Sequence, residues 1–273
     1  MTLFSVINQQ LAILLVAKFA ALAIVVACAE YLVFPHPLQN GGLMSWEVGR
    51  LRQPLMVKGA TGRVLDWLFS YPRISGLIAL RAVIALLILF GPLTIVLNPW
   101  LLCVFVLVSM LLTFRNTFGT DGADQMGDLL FVGLAVVGIV TTHLTMNVYL
   151  WFLTFQACLA YAMAGFAKAV APGWRDGTYL VGICGTSTYG NARLRDLLLV
   201  RPTLSKWLSR GVIIWECFFP LVLLLPLPLA LVPLIGGIVF HLMMAYIMGL
   251  NDFVWSFLAT YPAVLYCLQV RGW

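Results

Sequence analysis

Charge is what this chain has least of. Asp, Glu, Lys and Arg make up 10% of its 273 residues, 62% are hydrophobic, and the mean hydropathy is +1.01. A water-soluble domain of this length needs far more charge to cover its surface, so that class is excluded. Alternation is missing too. The apolar runs are continuous and well beyond the ~10 residues of a barrel strand, which excludes a transmembrane β-barrel. Cysteine pairing is missing. The six cysteines, at 28, 103, 158, 184, 217 and 267, form no C-x-x-C pair, five lie in apolar segments, and only Cys184 falls in a loop. Neither a disulfide framework nor a zinc site is suggested. The three histidines, at 36, 143 and 241, have no metal-ligand spacing, so no metal is expected. A compact basic domain is also missing. The net charge of +6 is therefore not a nucleic-acid signal. The cations sit in loops, where they orient the chain and meet membrane lipid.

The N-terminus lacks a basic region, and its apolar run is too long for a signal peptide, so a retained first helix is expected. Val25-Val26-Ala27-Cys28 has the look of a lipoprotein cleavage site, but Lys18 lies inside the run and nothing basic precedes it.

What is present is a series of apolar runs that reach or exceed the ~18 residues of a spanning helix. The fold class is all-α. It is a polytopic integral membrane helical bundle of about eight transmembrane helices, in a single membrane-embedded domain over residues 1–273. The expected spans are residues 11–34, 74–97, 100–114, 129–142, 146–171, 208–226, 229–249 and 253–270. Pro35-His36-Pro37 ends the first, and Asn98-Pro99 turns between the second and third. Pro220, Pro226, Pro228 and Pro233 punctuate the last third.

Two long loops, 38–73 and 172–209, hold nearly all the basic residues, while the connections near 98, 144, 227 and 250 hold none. The positive-inside rule puts the basic loops in the cytoplasm and both chain ends outside. The first loop mixes Arg50, Arg52, Lys58, Arg63 and Arg73 with Trp46, Leu51, Met56 and Trp67. That mixture suits segments in the headgroup layer, or a plain cytoplasmic loop. In the second, residues 178–190 are too rich in glycine and polar groups to span. They read as a re-entrant or surface segment over a site, or as an ordinary loop.

Ionisable residues inside apolar spans are costly and mark function by default. Lys18 and Glu30 lie twelve residues apart in the first span, roughly 18 Å along a helix, so each needs another partner. Arg81 lies about two turns into the second span and needs a partner, a cavity or a lipid phosphate; Glu30 is one candidate. Asp121, Asp124 and Asp128 share a face if a helix begins there. Capping and the helix dipole account for them, and their spacing does not match a calcium loop.

The organising stretch is residues 157–179, ACLAYAMAGFAKAVAPGWRDGTY. Lys168 ends a long apolar run, either as a functional group or reaching to the membrane surface. Tyr161, Ala164, Gly165 and Lys168 fall in one helical sector. The small residues there let another helix approach, and Tyr161 then offers its hydroxyl to the same space as Lys168.

This pattern, AG-x-x-K followed by Trp and by G-x-Tyr, resembles the transmembrane core of vitamin K-dependent γ-carboxylase and its bacterial relatives, the HTTM family. The matching residues are Ala164, Gly165, Lys168, Trp174, Gly177 and Tyr179. Gly122-x-Asp124, Glu216 in WECFFP, His241 in FHLMMA, Asn251 and Phe253 extend the resemblance to a core of about residues 115–255. The gap between lysine and tryptophan is one residue longer than the family pattern. The resemblance implies an isoprenoid quinol as cofactor, either vitamin K hydroquinone or a menaquinol-like molecule. It implies catalytic roles for Lys168 as initiating base, for His241 on the quinol oxygen and for Glu216 holding His241 or Lys168. Tyr161, Trp174, Tyr179 and Arg81 are the expected cofactor-binding residues. A desolvated lysine has the lowered pKa such a base needs.

The animal carboxylase carries a large non-membrane domain for its substrate, whereas the longest loop here is residues 172–209. The expectation is thus a quinol-dependent, carboxylase-like lyase or oxidoreductase acting on a peptide or lipid in a bacterial inner or plasma membrane. The alternative is a non-catalytic membrane protein for maturation, export or immunity of a secreted peptide toxin, as with HTTM-like proteins of the sporulation-delaying-protein B type. In that case the buried polar residues only fix helix packing. A transporter ranks last, because no internal repeat is visible.

Overall fold

The computed structural model describes residues 7–54, 56–116 and 120–271; Leu55 of the first loop and residues 117–119 of the aspartate-rich connection lie outside them. The described chain is helical, with no strand among the described residues. Among the described residues, seven segments are long and apolar enough to cross a membrane: Gln9–Val33, Arg73–Phe90, Gly122–Ile139, His143–Val170, Pro202–Leu224, Leu227–Met248 and Asn251–Arg271. The third expected span, Pro99–Arg115, is apolar but only 17 residues long. At 1.5 Å per residue it measures about 25 Å, against a hydrocarbon core of about 30 Å. Large apolar side chains stay exposed, among them Trp100 (80%), Phe90 (79%) and Phe166 (58%). A surface of this kind calls for lipid as its solvent. This is the architecture of an integral membrane protein.

The chain divides into two compact units, Ile13–Tyr149 and Leu150–Trp273 with Met1–Ala12. The first is built from α1 (Gln9–Val33), α2 (Gly59–Phe69), α3 (Arg73–Phe90), α4 (Pro99–Arg115), α5 (Gly122–Ile139) and the start of α6 (His143–Val170). Local chemistry sets the helix starts. The Asn98 side chain accepts from the Leu101 amide, and Pro99 fills the first turn, where no amide donor is needed. Asp121 caps α5 in a reciprocal box with Asp124. The core lies between α4 and α5, where the Phe105 and Phe131 rings are 4.0 Å apart.

α4 is held at both ends within this unit. At one end Arg115 Nε donates to the Phe69 carbonyl at 3.1 Å; at the other, Gly138 of α5 leaves room for the Leu97 carbonyl. Lys18 finds its partner in the Leu89 carbonyl, at 2.8 Å. The first basic loop is partly folded. Trp46 is buried, packs with its ring tilted 4.9 Å from that of Phe69 and donates to Asp66, whereas Leu51 and Trp67 remain exposed.

The second unit continues α6 and adds α7 (Thr178–Cys184), α8 (Ala192–Val200), α9 (Pro202–Phe218), α10 (Leu227–Met248), α11 (Asn251–Leu258) and α12 (Tyr261–Arg271). The second basic loop is thus largely helical, and Cys184 closes α7 as a buried residue rather than sitting in an open loop. α9 begins six residues before the expected span, because Pro202 supplies a preorganised first turn. Beyond Phe218 it tightens into a 3₁₀ segment, Phe219–Leu224. Gly249, at φ +73°, ends α10 in a conformation that glycine adopts without strain.

Candidate functional site

The site is built on α6. Tyr161, Gly165 and Lys168 recur on one face of that helix at spacings of four and three. α9 crosses this face closely. A side chain at 165 would put its Cβ 2.6 Å from the Cys217 amide nitrogen, so glycine is what lets the two backbones meet.

That approach brings Lys168 Nζ to both carboxylate oxygens of Glu216, at 2.7 and 2.6 Å. Glu216 is 3% exposed, and the Lys168 side chain keeps 20% of its surface. A two-pronged contact of this kind compensates two charges that neither helix could hold alone. Trp174 lies with its ring centre 5.4 Å from the same ammonium, within cation–π range. The short helix Pro172–Asp176 carries it there. Gly177, at φ +90°, then turns the chain back, and its carbonyl accepts from Ser205 Oγ at 2.7 Å. Gly177 of the family-like pattern thus has a structural task, fastening this turn to the start of α9.

Two turns earlier on α6, the Tyr161 hydroxyl lies 2.7 Å from His241 Nε2 on α10 and 3.3 Å from the Tyr261 hydroxyl on α12. All three side chains are buried. Aromatic rings close around them. Tyr161 packs against Phe219 at 4.1 Å and against Trp215 and Phe257 at 5.0 Å, and the His241 ring stacks on Phe257 at 4.7 Å. Consecutive glycines on α10 make the space. The Tyr261 hydroxyl occupies the place a Cβ on Gly237 would take, and Trp215 Nε1 lies 3.2 Å from that of Gly236.

Two buried nitrogens in this cluster have no partner among the described residues, His241 Nδ1 and Trp215 Nε1. Buried polar atoms are nearly always bonded, so each marks a place for a ligand or a water. Beside the cluster, α6 also lines an open apolar groove of about 450 Å³ with Phe152, Phe155, Cys158, Leu159 and Ala162, bordered by Pro220.

Lys168, Glu216, Tyr161, His241 and Trp174 therefore belong to one unit, in two adjoining groups. Glu216 holds Lys168, and Tyr161, not Glu216, holds His241. Tyr179 is 51% exposed, with its ring against Gly173. Arg81 belongs to the other unit, where it shares a cavity with Asp124 and Asp128 rather than facing Glu30. Sequence reasoning passed over Tyr261, Trp215 and Phe257, apolar-looking residues in apolar runs. The one available signal was the Gly236-Gly237 pair, one turn before His241.

Set against protein-family models, curated proteins and solved structures, the chain matches none of them.

Proposed function

We propose that this chain is an intramembrane enzyme resembling the core of vitamin K-dependent γ-carboxylase. It would use an isoprenoid quinol, vitamin K hydroquinone or a menaquinol, for redox-coupled modification of a peptide or lipid. Its membrane would be a bacterial inner or plasma membrane. The observation that carries this reading is the convergence of Lys168, Glu216, Tyr161 and His241 from three helices into a buried cluster with an unsatisfied imidazole nitrogen.

The residues suit a quinol. Among the described residues His241 Nδ1 has no partner, so in either tautomer it could bond a ring hydroxyl, and the groove along α6 is apolar as an isoprenoid tail requires. Such a group, when bound, supplies two electrons and two acidic hydroxyls. The protein's part is proton handling. Lys168 can pass its proton to Glu216 within the ion pair, which leaves a neutral amine as base and no net change in charge. Tyr161 fixes the imidazole through Nε2 and so directs Nδ1. Trp174 presents its ring to the Lys168 nitrogen at cation–π distance.

The test is mass spectrometry of lipid extracted from gently purified protein, wild type beside His241→Leu. A stoichiometric quinone in the wild type that is lost in the variant supports the proposal. No quinone in either, even after purification in quinone-supplemented lipid nanodiscs, overturns it. One observation favours a second reading, a non-catalytic protein serving a secreted peptide toxin. The Lys168–Glu216 pair is closed on itself, as a pair that only fixes packing would be. Co-purification of a peptide in place of quinone supports that reading.

A further inference from the structure

The unit Ile13–Tyr149 contains a polar feature that this reading does not use. A cavity of about 110 Å³ lies among α1, α3, α4 and α5. Arg115 lines it at the end of α4. This residue is 4% exposed; its Nε is taken by Phe69, and one terminal nitrogen, Nη2, has no partner among the described residues. Arg81 of α3 lines the same space, and its Nε is buried and unpartnered. Asp124 and Asp128, one turn apart on α5, complete the charged lining, with Asp124 exposed at the mouth. Among the described residues no contact-distance ion pair joins these four groups, although Arg81 is near enough to attract both aspartates, and Arg115 has no acidic partner.

A guanidinium buried this deeply is costly without a counter-charge. An anion alone would relieve the arginines but meet two aspartates, and a cation alone would meet two arginines. A molecule carrying both signs satisfies the whole lining. We propose that this cavity binds a compact zwitterion with an oxyanion and a primary ammonium a few bonds apart, the chemistry of an ethanolamine-phosphate headgroup. Arg115 and Arg81 take the phosphoryl oxygens, for which the guanidinium fork is suited. Asp128 and Asp124 accept from the ammonium. The volume holds one small polar group, by the measure of roughly 30 Å³ for each liquid water. The cavity also lies at the end of α4 next to the basic loop, where headgroups gather. The source is either a membrane aminophospholipid or a free headgroup.

The test uses the full chain in detergent after lipid removal, with thermal unfolding as readout. The probes are dihexanoyl phosphatidylethanolamine, dihexanoyl phosphatidylglycerol, free phosphoethanolamine and inorganic phosphate. The ethanolamine lipid raises the unfolding midpoint most, and its affinity falls at least tenfold in Arg115→Gln, Arg81→Gln and Asp128→Asn. Because Arg115 also holds Phe69, the other two variants serve if Arg115→Gln does not fold. Free phosphoethanolamine acting as strongly as the lipid supports the site and assigns it a soluble ligand. Equal binding of phosphatidylglycerol or phosphate with no effect of Asp128→Asn overturns the zwitterion. So does the absence of any shift, or unchanged binding in folded Arg81→Gln and Asp128→Asn.

Discussion

The Tyr161 hydroxyl is 2.7 Å from His241 Nε2 but 3.3 Å from the Tyr261 hydroxyl, so the imidazole is its principal partner. Tyr161→Phe would leave both nitrogens of a buried imidazole unbonded, at a cost of about 1–3 kcal/mol. Tyr261→Phe gives up only the longer contact and costs less. Unfolding of the two variants in the same detergent ranks them. A larger loss from Tyr261→Phe would show that the hydroxyl at 261, not the histidine, is the principal partner of Tyr161.

Lys168 and Glu216 predict a coupled pair. Lys168→Met strands a carboxylate that is almost fully buried, and a loss of about 3 kcal/mol is expected. Pairing it with Glu216→Leu removes the stranded charge and recovers most of that loss. A double-mutant cycle measures this, and additive effects would mean that the two groups are solvated separately. On the proposed quinol chemistry, activity would be lost in both single variants and in the double.

Glycine positions separate contact from propensity. Gly165→Ala drives a methyl group into the Cys217 backbone and is expected to cost about 1–3 kcal/mol, while loosening the ion pair. Gly182, within α7, has open space around it, so Gly182→Ala gains about 0.5–1 kcal/mol. Equal effects at the two sites would contradict the close crossing of α6 and α9.

Cys184 lies outside the spanning helices, and burial raises its thiol pKa. A raised thiol pKa means less thiolate at neutral pH. Alkylation by a water-soluble maleimide is therefore slow in the folded protein and keeps rising with pH beyond the range of an ordinary thiol. Fast labelling at neutral pH would place this residue on the surface.

The expected third span also has a direct check within the unit Ile13–Tyr149. In a cysteine-free background, cysteines at Arg63 and Asn116 are expected to label from one side of the membrane, and one at Thr141 from the other. The Arg115–Phe69 contact requires the first two to be near each other. Labelling at 63 and 141 from one side, with 116 from the other, would mean that α4 does not cross.

How much of this was legible follows from cost. Lys168, Glu216 and His241 stood out because an ionisable group in an apolar run needs a reason. Tyr161 followed from helical spacing alone. Tyr261 and Trp215 carry no such cost, and only the packing of α9 and α12 onto Gly236 and Gly237 gives them their place. Arg81 announced that it needed a counter-charge but not which one, because the sequence does not contain the register between helices. The helical class was readable from apolar run lengths. The start of α9 was misplaced because Pro202 lies among polar residues, outside the apolar run, although proline is at home in a first turn.

The Lys168–Glu216 contact has an electrical side. A lone charge moved fully across a membrane does work of about 2.3 kcal/mol per 100 mV, whereas a paired cation and anion moving together do none. A rearrangement that carries this pair as a unit is blind to the membrane potential. Removing either member would leave a single charge, and the voltage would then bias its position.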